Sequence, residues 1–189
     1  MLPRWLRRAA ADGVQALPAS DYAVLFCCMG NICRSPTAEA MLRAQAGRAG
    51  LQQSLRVDSA GTHGYHDGEP PDARARSHAL RRGLDLNALR ARRVRVEDFE
   101  QFDLVVAMDQ DNLEALRALC PQPLQHKLRL AMSFAPGAGS SIVPDPYYGG
   151  PEAFERVLDL LDLACAGLLG HVQAQLLLRR RQAQLGDRG

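Results

Sequence analysis

The chain has 189 residues, 47% of them hydrophobic and 23% charged, with a formal net charge of +2 at pH 7. That length suits one domain with a sizeable core and is thin for two. So small a net charge gives no footing for nucleic acid or for an anionic membrane, and no apolar run approaches the roughly 20 residues that span a bilayer.

Residues 1–20 carry Arg4, Trp5, Arg7 and Arg8 but lack the apolar stretch of a signal peptide, and they read as a loose N-terminal extension. The folded domain is expected over residues 21–182, with a tail at 183–189. Tyr22 to Cys27 reads as a buried strand and Ser35 to Gly47 as a helix, with Ser35 as its N-cap and Pro36 in its first turn. Leu55 to Ala60 is a second strand, Thr62 to Asp72 a loop, and Asp72 to Arg82 a helix closed by Gly83. Glu97 to Phe102 is a short helical piece before a strand at Leu104 to Met108. A helix at Asp109 to Leu119 with Asp109 as N-cap follows, then a fourth strand at Lys127 to Ala131. Ser133 to Gly150 is a long Gly-, Ser- and Pro-rich loop. From Pro151 a long helix sets Phe154, Val157, Leu158, Leu161, Ala164, Cys165 and Leu168 at helical spacing, and Arg179 to Arg181 reads as its solvated end. Strands alternating with helices predict a single α/β domain, a four-stranded parallel sheet with helices on both faces. Ligands of such folds bind beyond the carboxyl ends of the strands.

The loop after the first strand, Cys28-Met29-Gly30-Asn31-Ile32-Cys33-Arg34-Ser35, sits at that edge. Consecutive backbone N–H groups in a tight loop make an anion nest, and a following helix adds its positive end. Gly30 removes a side chain where the backbone must turn, and Asn31 tolerates positive φ. Arg34 supplies a planar clamp for two phosphate oxygens. Cations and helix N-termini favour thiolates, so Cys28 is the candidate nucleophile, with the Ser35 hydroxyl donating to its sulfur. Cys27, one residue earlier, reads as a core cysteine. The five cysteines, odd in number and unevenly spaced, fit a reducing cytoplasmic setting rather than a disulfide framework. Cys33 is either a small loop-filling residue or a partner that captures oxidised Cys28 as a disulfide. No metal or cofactor is expected, since His63 and His66 lack the spacing of a ligand set.

Together these residues resemble the signature of the low-molecular-weight protein tyrosine phosphatases, Cys-x-Gly-Asn-x-Cys-Arg-Ser-Pro. The similarity extends from about Tyr22 into the C-terminal helix. Val57-Asp58-Ser59-Ala60-Gly61-Thr62, Gly68-Glu69-Pro70-Pro71-Asp72, Met108-Asp109 and Asp145-Pro146-Tyr147-Tyr148 fall in the family's order. The resemblance implies hydrolysis of phosphotyrosine in proteins through a cysteinyl-phosphate.

That chemistry expels a phenolate whose conjugate acid has a pKa near 10, so a proton donor in the transition state contributes roughly 10²- to 10⁴-fold. Sequence offers Asp58, Asp72, Asp109, Asp111 and Asp145 as carboxylates. Pro144 and Pro146 hold Asp145 away from helical geometry and stiffen its loop, although a proline-rich surface turn has the same composition. The resemblance assigns Asp145 as general acid, and then as the base that activates water. It also places Tyr65 and Tyr147 at the pocket mouth with Tyr148 beside them, and puts Asn31 and Ser59 in a hydrogen-bond network that holds the loop open.

The chain departs from its bacterial relatives in one motif, with Leu89-Arg90-Ala91-Arg92 where they often read His-Arg-Ala-Arg. If that histidine supports the network, this site must be held differently. Two other activities share the loop. A thioredoxin-coupled arsenate reductase needs two further cysteines close together, and Cys120 and Cys165 are far apart. A protein arginine phosphatase carries threonine at the position of Ile32, where isoleucine crowds the pocket. A bacterial tyrosine kinase of a surface-polysaccharide system is one partner the resemblance implies.

Overall fold

The structure, a computed structural model, describes residues 21–186. The expected N-terminal extension at 1–20 and the last three residues of the expected tail lie outside the described residues. Four parallel strands, β1 (Tyr22–Cys28), β2 (Leu55–Gly61), β3 (Leu104–Ala107) and β4 (Leu128–Leu130), form one sheet in the order β2-β1-β3-β4. The connections run through α1 (Arg34–Arg48), α2 (Ala73–Arg81), α3 (Asp98–Gln101) and α4 (Gln110–Leu119), and α5 (Pro151–Gly186) closes the described chain. This is the four-stranded parallel α/β domain that the alternation of apolar segments predicts.

The central strand shows how the sequence sorts its side chains. Successive residues of a strand face opposite sides, so Tyr22, Val24, Phe26 and Cys28 join the core beneath α1 and α5. Ala23, Leu25 and Cys27 join a second core with Phe99, Phe102, Leu113 and Leu116 on the other face. Both faces are covered, which is why this strand is an unbroken apolar run. The same alternation separates two adjacent cysteines. Cys27 is fully buried among apolar groups, and burial pushes its thiol well up.

The chain leaves β1 toward β2 on one side and leaves β3 toward β4 on the other. That reversal opens a crevice at the carboxyl edge, where open α/β sheets bind ligands. Cys28 ends β1, and Asp109 follows β3 by two residues.

Several boundaries shift from the sequence reading. α1 starts at Arg34 with Cys33 as N-cap, so Ser35 lies inside the first turn, where its hydroxyl is free to face the sulfur. Asp72 and Asp109 do cap α2 and α4, accepting from Arg74 N and Ala75 N and from Asn112 N respectively. α5 continues past residue 182 to Gly186 without a break. Arg179, read as solvated, instead donates to the Asp21 carbonyl and to Asp103 Oδ1 (2.6 Å), tying α5 to the start of β1. By length and composition alone α5 is apolar enough to cross a membrane, with a window of mean hydropathy 1.4, but its inner face is domain core.

Candidate active site

The loop between β1 and α1 takes its shape from Asn31, whose φ of 56° is the only positive value at a non-glycine position among the described residues. Its side chain offsets that conformation. Asn31 Oδ1 accepts from Arg92 N (2.9 Å), which fixes the amide so that Nδ2 donates to Ser35 Oγ (2.9 Å) and Ser59 Oγ (2.9 Å). Ser59 Oγ donates onward to Glu39 Oε2 (2.5 Å). Ser35 Oγ lies 3.0 Å from Cys28 Sγ. Since that oxygen accepts from Asn31, its own proton is left for the sulfur or for the Ala60 carbonyl at 3.3 Å. A buried chain of polar groups therefore runs from Glu39 through Ser59, Asn31 and Ser35 to the thiol of Cys28.

At Gly30 the missing side chain matters for space. Its φ is not positive; instead a Cβ there would sit 3.0 Å from His66 Cδ2. Gly61, at the end of β2, is held tighter still, since a Cβ would meet the carbonyl oxygens of His63 and Met29 at 2.7 and 2.8 Å. The two glycines let the phosphate loop and the segment after β2 lie against each other.

Arg34 is 1% exposed and its guanidinium reaches three groups. Nη1 donates to Asp109 Oδ2 and to the Val143 carbonyl (3.1 Å), and Nη2 donates to Asp145 Oδ2 (2.8 Å). Nε is buried with no partner. Burial lowers the guanidinium's proton affinity, but Cys28, Asp109 and Asp145 outweigh it and the net shift is upward. Arg34 is thus a fixed cation at the centre of the crevice.

Asp145 is held less firmly. Its Oδ1 accepts from Tyr147 N (3.1 Å), closing a tight turn between two prolines, and its side chain is 43% exposed. Arg74 braces the turn from outside. It grips Asp72 through Nε and Nη2, donates to the Tyr147 carbonyl (3.0 Å) and lies 5.3 Å from the centre of the Tyr147 ring.

A cleft of about 310 Å³ opens over these groups. Its floor is Cys28, Met29, Gly30, Ile32, Cys33 and Arg34, and its rim holds Tyr65, Asp145, Tyr147 and Tyr148. Every residue predicted to face substrate is therefore in one place, while Asn31, Ser35 and Ser59 stand behind the loop. His66 also lines the cleft, and its Nδ1 pairs with Glu69 Oε2 (2.7 Å). His63 turns away to stack on Tyr65. Cys33 is buried, and burial together with the nearby charges of Asp72, Cys28 and Asp145 pushes its thiol well up.

Four contributors escaped the sequence reading. Asp109 stood there as a helix cap, one carboxylate among several and part of a family motif, without a role at the site, yet its second oxygen accepts from Arg34 Nη1. Arg92 was noted only for the motif around it, but its side chain bridges Asp58 (2.9 Å) and Asp98 (3.0 Å) while its backbone fixes Asn31. Glu39 and its partner Arg43 had no signal beyond a charge at the fourth position after Ser35 in an otherwise apolar stretch. Burial raises the Glu39 carboxyl to about 7, against the opposing pull of Arg43 and the Ser59 hydrogen bond. Leu89, where relatives often carry histidine, packs against the larger core. The polar chain here ends on Glu39 and Arg43.

Known proteins resemble this chain over most of its length. Residues 23–179 match the family model of low molecular weight phosphotyrosine protein phosphatases. A low molecular weight protein-tyrosine-phosphatase of Streptomyces coelicolor is 45% identical over 158 residues, covering 82% of this chain and 96% of the relative. The human low molecular weight phosphotyrosine protein phosphatase is 40% identical over 148 residues, 77% of this chain and 92% of that one. Among solved structures, a protein tyrosine phosphatase from Entamoeba histolytica with Hepes in the active site superimposes with a TM-score of 0.79 at 38% identity, covering 82% of this chain and 98% of its own. The chain belongs to the low molecular weight phosphotyrosine protein phosphatase family, whose members are hydrolases.

Proposed function

We propose that the protein hydrolyses phosphotyrosine in proteins through a cysteinyl-phosphate formed on Cys28. The observation that carries this reading is the placement of Cys28 Sγ, the Ser35 hydroxyl, the Arg34 guanidinium and the Asp145 carboxylate around one cleft. Backbone N–H groups of the loop and the amino end of α1 receive the phosphoryl oxygens. Arg34 Nε, buried and unpartnered, is one ready donor, and Nη2 becomes the second when Asp145 exchanges the guanidinium for the leaving oxygen.

The thiolate then attacks phosphorus, the P–O bond to the ring breaks, and Asp145 delivers its proton to the departing phenolate. With the ring gone, ionised Asp145 takes a proton from water as that water attacks the cysteinyl-phosphate, releasing inorganic phosphate and the Cys28 thiolate. Ser35 supports the sulfur by donating to it in both steps. Tyr65 and Tyr147 give the cleft walls of a height that suits a flat phosphorylated ring.

An arsenate reductase cascade needs a second and third thiol near the first. Cys120 and Cys165 belong to cores on opposite faces of the sheet, which favours the phosphatase. Ile32 lines the cleft and packs against Cys33, Ala75 and Phe154, so the space a threonine would leave for phosphoarginine is filled. Cys33 is buried against Ala75 and Phe154, a packing that favours loop filling over capture of an oxidised Cys28. The free, buried thiols among the described residues suit a reducing cytoplasmic compartment. A protein bearing phosphotyrosine, such as a bacterial tyrosine kinase, is the proposed partner.

One experiment tests the reading: purified protein is given matched phosphotyrosyl and phosphoarginyl peptides and, separately, arsenate with thioredoxin. Release of phosphate from the phosphotyrosyl peptide, without added metal, is the expected outcome. Preference for phosphoarginine, or turnover of arsenate, overturns it.

A further inference from the structure

We infer that two copies of this chain pair in antiparallel fashion through the outward face of α5. The inner face of that helix, with Val157, Leu161, Ala164, Leu168, Val172 and Leu176, is buried core. A helix that is apolar on its opposite side as well calls for a second covering surface. Leu163, Ala166, Gly170, Ala174 and Leu177 recur every three or four residues along the outer side, and all are exposed, Leu163 by 52% and Leu177 by 57%. Leu178 and Leu185 extend the strip, also exposed, and the last seven residues of α5 lie beyond the family match, which ends at residue 179.

The order of charges selects the occupant and its direction. In the first half of α5 Glu155 is taken up by Arg82 and Asp162 by Gln45, which leaves Glu152 and Asp159 beside Arg156; in the second half Arg179 is tied to Asp103, which leaves Arg180 and Arg181 without a carboxylate on the helix. Such a helix is complementary to a reversed copy of itself and repels a parallel one. With the two-fold axis at Gly170, Leu163 of each copy meets Leu177 of the other, Ala166 meets Ala174, and Asp159 meets Arg181. Small residues at the crossing let the two backbones approach closely. Each contact occurs twice by symmetry, as an isologous interface requires. Asp159 is 67% exposed even while it pairs with Arg82, so it has room for a second cation.

Sedimentation equilibrium of the full chain from about 1 to about 500 μM tests the pairing. A monomer–dimer equilibrium is expected. A Cβ at Gly170 meets nothing within 4 Å in the single copy and the position is exposed, so Gly170→Glu should fold with equal or higher thermal stability and yet stay monomeric throughout. Asp159→Arg and Arg181→Asp should each weaken self-association by roughly fivefold. Mixed together, those two variants should form a heterodimer as tight as the wild-type dimer, because each supplies the charge the other has lost. A monomer at every concentration, or a dimer indifferent to Gly170→Glu, overturns the inference. So does binding of the chain to phosphatidylcholine vesicles that Gly170→Glu abolishes, since the face would then belong to a membrane.

Discussion

From Cys28 to Ser35 the phosphate loop has five of its eight residues buried, while the loop bearing Asp145 leaves that carboxylate 43% exposed and Tyr148 97% exposed. Asn31, Ser35, Ser59 and Glu39 brace the first loop from behind through hydrogen bonds of 2.5 to 3.0 Å. The second is tethered by its own turn, by Arg34 and by Arg74. The difference matches the two tasks. A nucleophile and its oxyanion donors gain most from being fixed before substrate arrives, because reorganisation then costs nothing at the moment of reaction. A general acid must reach a leaving oxygen whose position depends on the substrate, so some freedom helps it.

Cys28→Ser tests the fixed half most severely. It removes the proposed nucleophile and should lower kcat by roughly 10⁴- to 10⁶-fold on an aryl phosphate. The buried network would remain, so the melting temperature should change little. A melting temperature that collapses along with activity would mean that the thiol holds the loop together as well as attacking.

Asp145→Ala tests the mobile half, and its effect should depend on the leaving group. With a basic phenol kcat should fall by roughly 10²- to 10⁴-fold, and with an activated, acidic phenol by much less. A loss of the same size for every leaving group would show that the carboxylate matters through Arg34 and not through its proton.

Glu39→Gln probes the far end of the buried network. Desolvation raises the Glu39 carboxyl from 4.5 to about 7, with Arg43 and Arg92 opposing and Asp58 assisting. The native state therefore binds more protons than the unfolded chain across that window. Stability from this group is present below about pH 4.5 and is lost as pH rises through about 7. The total is on the order of 3 kcal/mol. Urea unfolding from about pH 5 to about pH 8 should show wild type losing this increment relative to Glu39→Gln. Parallel curves for the two proteins would place the charge of Glu39 in contact with water or fully neutralised by Arg43.

The two loops also differ in how far the sequence exposed them. The phosphate loop is contiguous, so a strand-end thiol, an asparagine suited to positive φ, an arginine and a helix start all stood within eight residues. The alternation of Tyr22 to Cys28 even separates the thiol buried in the second core from the one that reaches the cleft. What the sequence hid was support assembled across distance. Asp109 lies 75 positions from Arg34, and Arg92 lies 61 from Asn31; only the parallel sheet brings them together. Glu39 was hidden for another reason, because a single carboxylate on a helix is usually solvated and nothing local says that this one faces inward. Ser35 reads as a cap because its residue type suits that role, but α1 starts one residue earlier, and from inside the first turn its hydroxyl lies 3.0 Å from the sulfur it was expected to serve.

Arg74→Ala should have the smallest effect and bears most directly on how mobile the acid loop is. Arg74 is solvent-facing, but it joins Asp72 at the start of α2 to the Tyr147 carbonyl and stacks over that ring. None of these contacts touches the phosphoryl group, so substrate capture by Arg34 should be intact. Loss of the brace should leave Asp145 more conformations to search before it meets the leaving oxygen. We expect kcat to fall by roughly two- to fivefold, with the loss growing as the leaving phenol becomes more basic. Adding Arg74→Ala to Asp145→Ala should then cost nothing further, because the brace acts only through the carboxylate it positions. An additive loss in the double variant would place Arg74 in contact with the substrate itself.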